Sequence, residues 1–209
     1  ISEALQELLK DSDQVIVMGH SHPDMDVLGS SLGIRRIAMM NNTPCKVVIN
    51  PNTLHSDVSR LLGMIDKDPE IKKDIITPDE SIAIRTSKTL IVMVDHSKQS
   101  ISINPDLYKG ENEKIVVIDH HRRSEEFPEN PMLIYIEPYA SSTSELITEM
   151  LEYQPKNKKA IEKIEATALL AGITVDTKSF SLRTGTRTFD AASYLRSVGA
   201  DETIIQNVL

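Results

Sequence analysis

The sequence holds a single cysteine, Cys45, in 209 residues, so it can form no intrachain disulfide. That fits a reducing compartment, and Cys45 reads as a small buried hydrophobe ahead of a strand. No apolar run approaches the roughly 20 residues that cross a bilayer, and no secretory signal opens the chain. Positive charge is scarce: 23 Lys and Arg against 31 Asp and Glu leave a formal charge of −8. Such a balance argues against long nucleic acid, which calls for a basic face. It leaves room for a small nucleotide held through metal ions. Neither GxGxxG nor GxxxxGK[ST] occurs, so Gly29 and Gly33, four apart, read as packing glycines rather than a phosphate loop. There is no internal repeat and no low-complexity segment.

What is present is an ordinary globular composition, 40% hydrophobic and 26% charged, in a chain long enough to bury one substantial core. Apolar runs predict strands at Gln14–Met18, Lys46–Asn50, Leu90–Val94, Ile115–Ile118 and Met132–Ile136. Helical spacing predicts helices over Ser2–Leu9, Val27–Met40, His55–Ile65, a stretch capped by a Ser or Thr of 141–144 and running to Tyr153, Ala160–Val175 and Arg187–Val198. Asp66–Glu80 reads as a polar connection, and Gln154–Lys158 as a break. Strands that are apolar throughout and alternate with helices predict an α/β fold. The expected architecture is a doubly wound, mostly parallel sheet with helices on both faces. Ligands of such sheets lie beyond the carboxyl ends of the strands.

Acids and imidazoles gather at those ends. His20 follows the first strand; Asp24 and Asp26, spaced i and i+2 on a segment that Pro23 keeps out of a helix, are expected to face one point as in extended chain. Asp95 ends the Leu90–Val94 run, Asp119-His120-His121 ends the Ile115–Ile118 run, and Asp176 ends a helix. Carboxylates this dense repel one another without a cation between them. Six candidate ligands, His20, Asp24, Asp26, Asp95, His120 and Asp176, exceed one tetrahedral zinc site and suit two metals sharing a carboxylate. Mixed nitrogen and oxygen donors without sulfur favour Mn²⁺, with Fe, Co or Zn as alternatives. Arg122, Arg123, Arg183 and Arg187 lie close to these residues in sequence and suit phosphate. The chemistry inferred is hydrolysis at phosphorus, with His121 a candidate to protonate an oxygen and Asp119 to orient an imidazole. His22, His55 and His96 stay outside the set.

These residues resemble the motifs of the DHH phosphoesterase superfamily. His20-x-x-x-Asp24-x-Asp26 with Gly29-Ser30 is similar to its first motif, Asp95 to its second, Asp119-His120-His121 to its third, and Asp176 in Val-Asp-Thr to its fourth. The resemblance implies two Mn²⁺ ions, one held by His20, Asp24 and Asp95, the other by Asp26, Asp95, His120 and Asp176, with Asp95 bridging. It also implies phosphate contacts for His121. Asp119 through Ser124, Tyr135 through Glu145 and Arg183 through Phe189 look like GdpP-type cyclic-di-AMP phosphodiesterases. That implies conversion of cyclic di-AMP to linear pApA, with Arg122, Arg123, Ser142, Thr143, Arg183 and Arg187 at the substrate.

Proteins of that type carry membrane helices, a PAS domain and a degenerate GGDEF domain before the DHH domain, and a DHHA1 domain after it. The expectation is therefore that residues 1–209 are the DHH catalytic domain and that about 201–209 begins the linker to DHHA1. The chain would be a cytoplasmic piece of a membrane-anchored bacterial protein, with homodimerisation left open. The start at Ile1 and the end within a helical pattern agree with a piece of a longer chain. The glycine-rich GGGH-type motif of DHHA1 is absent. Rival readings are an oligoribonuclease or pAp phosphatase of the same superfamily and a non-catalytic nucleotide-binding regulatory module. A family II pyrophosphatase is disfavoured by the Arg pattern and the Asp-His-His-Arg-Arg-Ser context.

Overall fold

Strands without a polar face must be covered on both sides, and six of them form one wholly parallel sheet in the computed structural model, which describes residues 1–108, 114–155 and 159–209. The strands are β1 (Gln14–Met18), β2 (Cys45–Val48), β3 (Ile75–Ile76), β4 (Thr89–Val94), β5 (Lys114–Asp119) and β6 (Leu133–Ile136). Their order is β3-β2-β1-β4-β5-β6. Val17 lies opposite Val47 on one side and Val92 on the other, and Val92 lies opposite Val116. The chain leaves β1 in one direction and β4 in the other, so a crevice opens beyond the carboxyl ends of these two neighbours.

The helices are α1 (Ser2–Lys10), α2 (Met25–Met40), α3 (Ser56–Ile65), α4 (Pro69–Lys72), α5 (Pro78–Ile84), α6 (Thr143–Glu152), α7 (Lys163–Asp176), α8 (Thr186–Ser197) and α9 (Glu202–Val208). Side chains alternate across the sheet. Val15, Val17, Leu90, Val92, Val94, Val116 and Ile118 face a thick helical layer built on α2, α6 and α7. Ile16, Met18, Ile91, Met93, Ile115 and Val117 face a thinner cover from Ile84 of α5, the short 3₁₀ turn Pro105–Tyr108 and Phe127. Among the described residues, helical cover on the second face is thus lighter than a doubly wound sheet leads one to expect, the described part of the β4–β5 connection carrying the 3₁₀ turns Gln99–Ile101 and Pro105–Tyr108.

Most boundaries differ from the sequence expectation by one to three residues. The Asp66–Glu80 connection differs more: it contains α4, the two-residue β3 and the start of α5, all too short for periodicity to register. Thr77, Pro78 and Glu80 nevertheless form a capping box at α5. The expected break at Gln154–Lys158 includes residues 156–158, which lie outside the described residues. In the stretch expected to begin a linker, α9 packs on α3 and α7 through Ile205 and Val208, and Arg60 donates to the Val208 carbonyl at 2.6 and 2.8 Å. Among the described residues no helix is long and apolar enough to cross a membrane.

The pair α2 and α7 is drawn unusually close by glycine. A Cβ on Gly29 would stand 2.6 Å from the Ala168 carbonyl oxygen, and one on Gly172 would stand 3.0 Å from the Asp26 Cα. At the far end, buried Arg35 of α2 reaches Glu165 of α7 at 3.2 Å and Asp74 at 2.8 Å, while Arg36 reaches Glu165 at 2.9 Å. The start of α2 is thereby registered against the end of α7.

Candidate metal centre

The crevice beyond β1 and β4 collects the sequence-predicted donors. The chain turns sharply after β1: Gly19 passes so near Val27 that a Cβ would stand 2.2 Å from its Cγ1. His20 follows, with Nε2 3.6 Å from Asp95 Oδ2. Asp95 itself adopts φ +62, the left-handed region that costs a non-glycine residue stability, and its amide donates to the Ile118 carbonyl at 3.0 Å. The strain is held in place by β5 and fixes the carboxylate at the centre of the cluster.

The extended-chain expectation for Asp24 and Asp26 is corrected here. Helix α2 starts at Met25, so Asp24 is its N-cap and Asp26 lies in its first turn. Asp24 accepts the Val27 amide through Oδ1 at 3.0 Å, which leaves Oδ2 for the cluster. The two carboxylates therefore serve different neighbours instead of one point. Donor atoms of His20, Asp24 and Asp95 all lie within 4.8 Å of one another, and so do those of Asp26, Asp95, His120 and Asp176. Asp95 belongs to both groups.

His120 supplies the test of whether this set suits a cation. Its Nε2 is buried without a hydrogen-bond partner, yet it stands 3.2 Å from Asp95, 3.3 Å from Asp176 and 3.7 Å from Asp26. A buried nitrogen facing three carboxylates within 3.7 Å, with well-aligned hydrogen-bond geometry to none of them, suits a ligand position on a cation. The ionisation pattern agrees. Burial lowers the His120 pKa, but close Asp176 and Asp95, with Asp26 behind, overcome it and push the imidazole up to about 11. Burial and then Asp95 push Asp24 up to about 6. Burial, Asp95, Asp176 and Asp24 drive Asp26 well above the usual carboxylate range. Burial opposes ionisation of Asp95 too, yet the His120 and His20 imidazoles hold it far down. The protein alone strains to supply positive charge here, and the oxygen and nitrogen donors suit a divalent cation.

Neighbouring side chains set the donors' orientation. Asp119 accepts the His120 amide at 2.8 Å, the His121 amide at 3.2 Å and His121 Nδ1 at 2.7 Å. This pairing raises the His121 pKa against burial, which lowers it, and leaves Nε2 on a ring that lines the cleft. Both oxygens of Asp26 accept amides from the start of α6, Ser144 at 2.8 Å and Thr143 at 3.0 Å. Thr143 also donates its hydroxyl to Asp95 at 3.1 Å.

Not all the other expected residues share this location. A cavity of about 770 Å³ is lined by His120, His121, Arg122, Arg123, Arg183 and Tyr139 among others. It adjoins one of about 400 Å³ over His20, Asp24, Asp95 and Asp176. Ser142 is fully buried as the N-cap of α6, accepting the Glu145 amide at 3.1 Å, and Thr143 is equally buried beneath the cluster. Arg187 lies outside both cavity linings and forks onto Glu149 at 2.9 and 3.0 Å. His22 and His55 also lie outside the cluster. His96 is buried with Nδ1 on the Val94 carbonyl and Nε2 on Ser102, and burial holds it down to about 4. Sequence reasoning passed over Lys178, two residues after Asp176, and Lys98, which lines a third cavity of about 410 Å³ beside His20 and Arg122.

The family model described as "DHH family, N-terminal domain" matches residues 14–173. The chain is 57% identical over 209 residues to cyclic-di-AMP phosphodiesterase PdeA of Listeria monocytogenes, covering 100% of this chain and 32% of that protein. It is 56% identical over 209 residues to cyclic-di-AMP phosphodiesterase GdpP of Bacillus subtilis, covering 100% of this chain and 31% of that one. The chain thus spans about a third of the length of both relatives. Among solved structures, an exopolyphosphatase-related protein from Bacteroides fragilis superposes with a TM-score of 0.78 at 22% identity, covering 99% of this chain and 59% of that one; this likeness concerns the fold.

Proposed function

The chain belongs to the DHH family, and from that premise we propose that it is the catalytic core of a phosphodiesterase that hydrolyses cyclic di-AMP to linear pApA. The observation that carries the reading is the pair of donor groups sharing Asp95 beneath an arginine-lined cleft. The substrate is drawn from the two cyclic-di-AMP phosphodiesterases to which the whole chain is similar. The same resemblance carries the proposal that the chain is the cytoplasmic DHH domain of a longer, membrane-anchored bacterial protein.

Two divalent cations, Mn²⁺ by the donor set, would be held by His20, Asp24 and Asp95 and by Asp26, Asp95, His120 and Asp176. When bound they acidify water and withdraw charge from the phosphoryl group. The chain's own residues do the rest. Arg122, Arg123 and Arg183 bind the phosphates through planar guanidinium groups. Asp119 fixes the His121 ring by Nδ1, so that Nε2 meets a phosphoryl or leaving oxygen. Thr143 and the α6 amides hold Asp95 and Asp26 against reorientation. The net reaction breaks one phosphorus–O3′ bond; water leaves its hydroxyl on phosphorus and its proton on O3′.

The test offers the chain cyclic di-AMP, pApA and pAp in parallel with Mn²⁺ and separates the products. Accumulation of pApA from cyclic di-AMP is the expected result. Cleavage of pApA or pAp alone would move the protein to the oligoribonuclease reading. Binding without turnover of any of the three would favour the regulatory-module reading.

A further inference from the structure

We propose that Tyr139 is the nucleobase platform of this cleft, its ring stacking on the base carried by the phosphodiester that Arg122, Arg123 and Arg183 hold beside His121. The proposal rests on the phosphodiesterase reading and adds to it the part of the site that would recognise a nucleoside.

Tyr139 is 93% exposed. Among the described residues its hydroxyl has no hydrogen-bond partner. The other tyrosines differ: Tyr108 bonds Ser102 at 2.7 Å, and Tyr135 and Tyr194 are half-buried against the core. Tyr153 is also exposed, at 74%, but lines none of the cavities that adjoin the cluster. An aromatic ring of this size left in water forgoes a large apolar contact, so its place beside the cleft calls for a ligand with a flat face.

The backbone beneath the ring is fixed. Ala140 donates to the Glu137 carbonyl at 3.1 Å, the Tyr139 amide reaches Glu137 Oε1 at 3.4 Å, and Pro138 restricts the turn. Directly after it the chain is buried from Ala140 through Glu145, at the helix start that holds Asp26 and Asp95. The platform is therefore rigidly coupled to the cluster. The rest of the lining complements a nucleotide: Arg122, Arg123 and Arg183 for phosphate, and Ile136 and Pro138 as apolar floor. Arg123 is already positioned, its guanidinium 4.0 Å above the Phe127 ring. The volume, about 770 Å³, lies within the range of small-molecule sites. Lining of this kind recognises a base by its π face rather than by its edge, so it admits any purine.

Calorimetry with linear pApA and an abasic analogue of the same backbone tests this on the chain with Mn²⁺ and on Tyr139→Ala and Tyr139→Phe. Stacking on one base predicts that Tyr139→Ala weakens pApA about 5- to 150-fold, that Tyr139→Phe stays within about twofold of the parent because the ring remains, and that the abasic analogue binds all three alike. In turnover the loss should fall on KM rather than kcat. Unchanged pApA affinity in Tyr139→Ala overturns the proposal, as does an equal loss of the abasic analogue, which would mark a packing effect. If the parent binds pApA with the expected Tyr139 dependence but leaves cyclic di-AMP intact, the phosphodiesterase reading fails while the platform stands.

Discussion

Thr143 donates its hydroxyl to Asp95 at 3.1 Å and its amide to Asp26 at 3.0 Å, so one residue at the start of α6 braces carboxylates from two other elements. Replacing it by Val removes the hydroxyl and keeps the shape and the amide. Thr143→Val should fold normally and lose about 10- to 100-fold in Mn²⁺ affinity or turnover, as support residues behind metal ligands typically do. Mn²⁺ titration followed by electron paramagnetic resonance reads the affinity directly, and a variant binding Mn²⁺ like the parent would remove Thr143 from this role.

Sharing of Asp95 makes a second prediction. Asp95→Asn keeps a residue that tolerates the left-handed backbone but removes the charge common to both donor groups. It should abolish tight binding of both ions, whereas Asp24→Asn should abolish one. The same titration, counting ions bound, decides; two intact sites in Asp95→Asn would end the bridging role.

The pH dependence of the metal-free protein follows from the raised carboxylates. Asp24 stands at about 6 in the fold against 3.8 for a freely solvated aspartate. A raised acid favours the fold most at low pH, and that contribution is lost as pH rises from about 4 to about 6. Asn keeps the helix cap without the charge. Asp24→Asn should therefore match the parent near pH 3.5 and exceed it by about 1–2 kcal/mol above pH 6.5, after allowance for partial solvent access. Thermal unfolding in a chelator across this range checks it. Mn²⁺ should reverse the order, because it stabilises the parent more.

Close approach of α2 and α7 through Gly172 supplies a fourth test. In Gly172→Ala the new methyl would stand 2.5 Å from Ser144 Oγ and 3.0 Å from the Asp26 Cα. Overpacking of this kind should destabilise by about 1–3 kcal/mol, and Mn²⁺ affinity should fall with it because Asp26 moves. Gly63→Ala on α3, where nothing lies within 4 Å, should be neutral or stabilising by up to about 1 kcal/mol. Denaturant unfolding and Mn²⁺ titration of both variants separate helix propensity from packing at the site.

Arg183 and Arg187 illustrate how unevenly the site was legible. Both follow Asp176 and both suit phosphate, yet Arg183 lines the cavities over the cluster and Arg187 is taken up by Glu149. Nothing local distinguishes them: Glu149 is 38 residues away, on α6. Tyr139 entered the sequence reading only as part of the Tyr135–Glu145 stretch, with no role of its own until its exposure beside the cleft was visible.

The layered α/β architecture and the place of the donors were written in local chemistry. Runs such as Leu90–Val94 and Ile115–Ile118 admit little but buried parallel strands, and the acids and imidazoles that close them must then emerge at one edge of the sheet. The partition of those donors was not local. Asp24 and Asp26 separate because α2 begins between them. Asp26 is aimed by amides 117 and 118 residues downstream, and Asp95 becomes common to both groups through a backbone twist held by β5. Such relations depend on how distant segments pack, and only the folded chain brings their atoms within reach of one another.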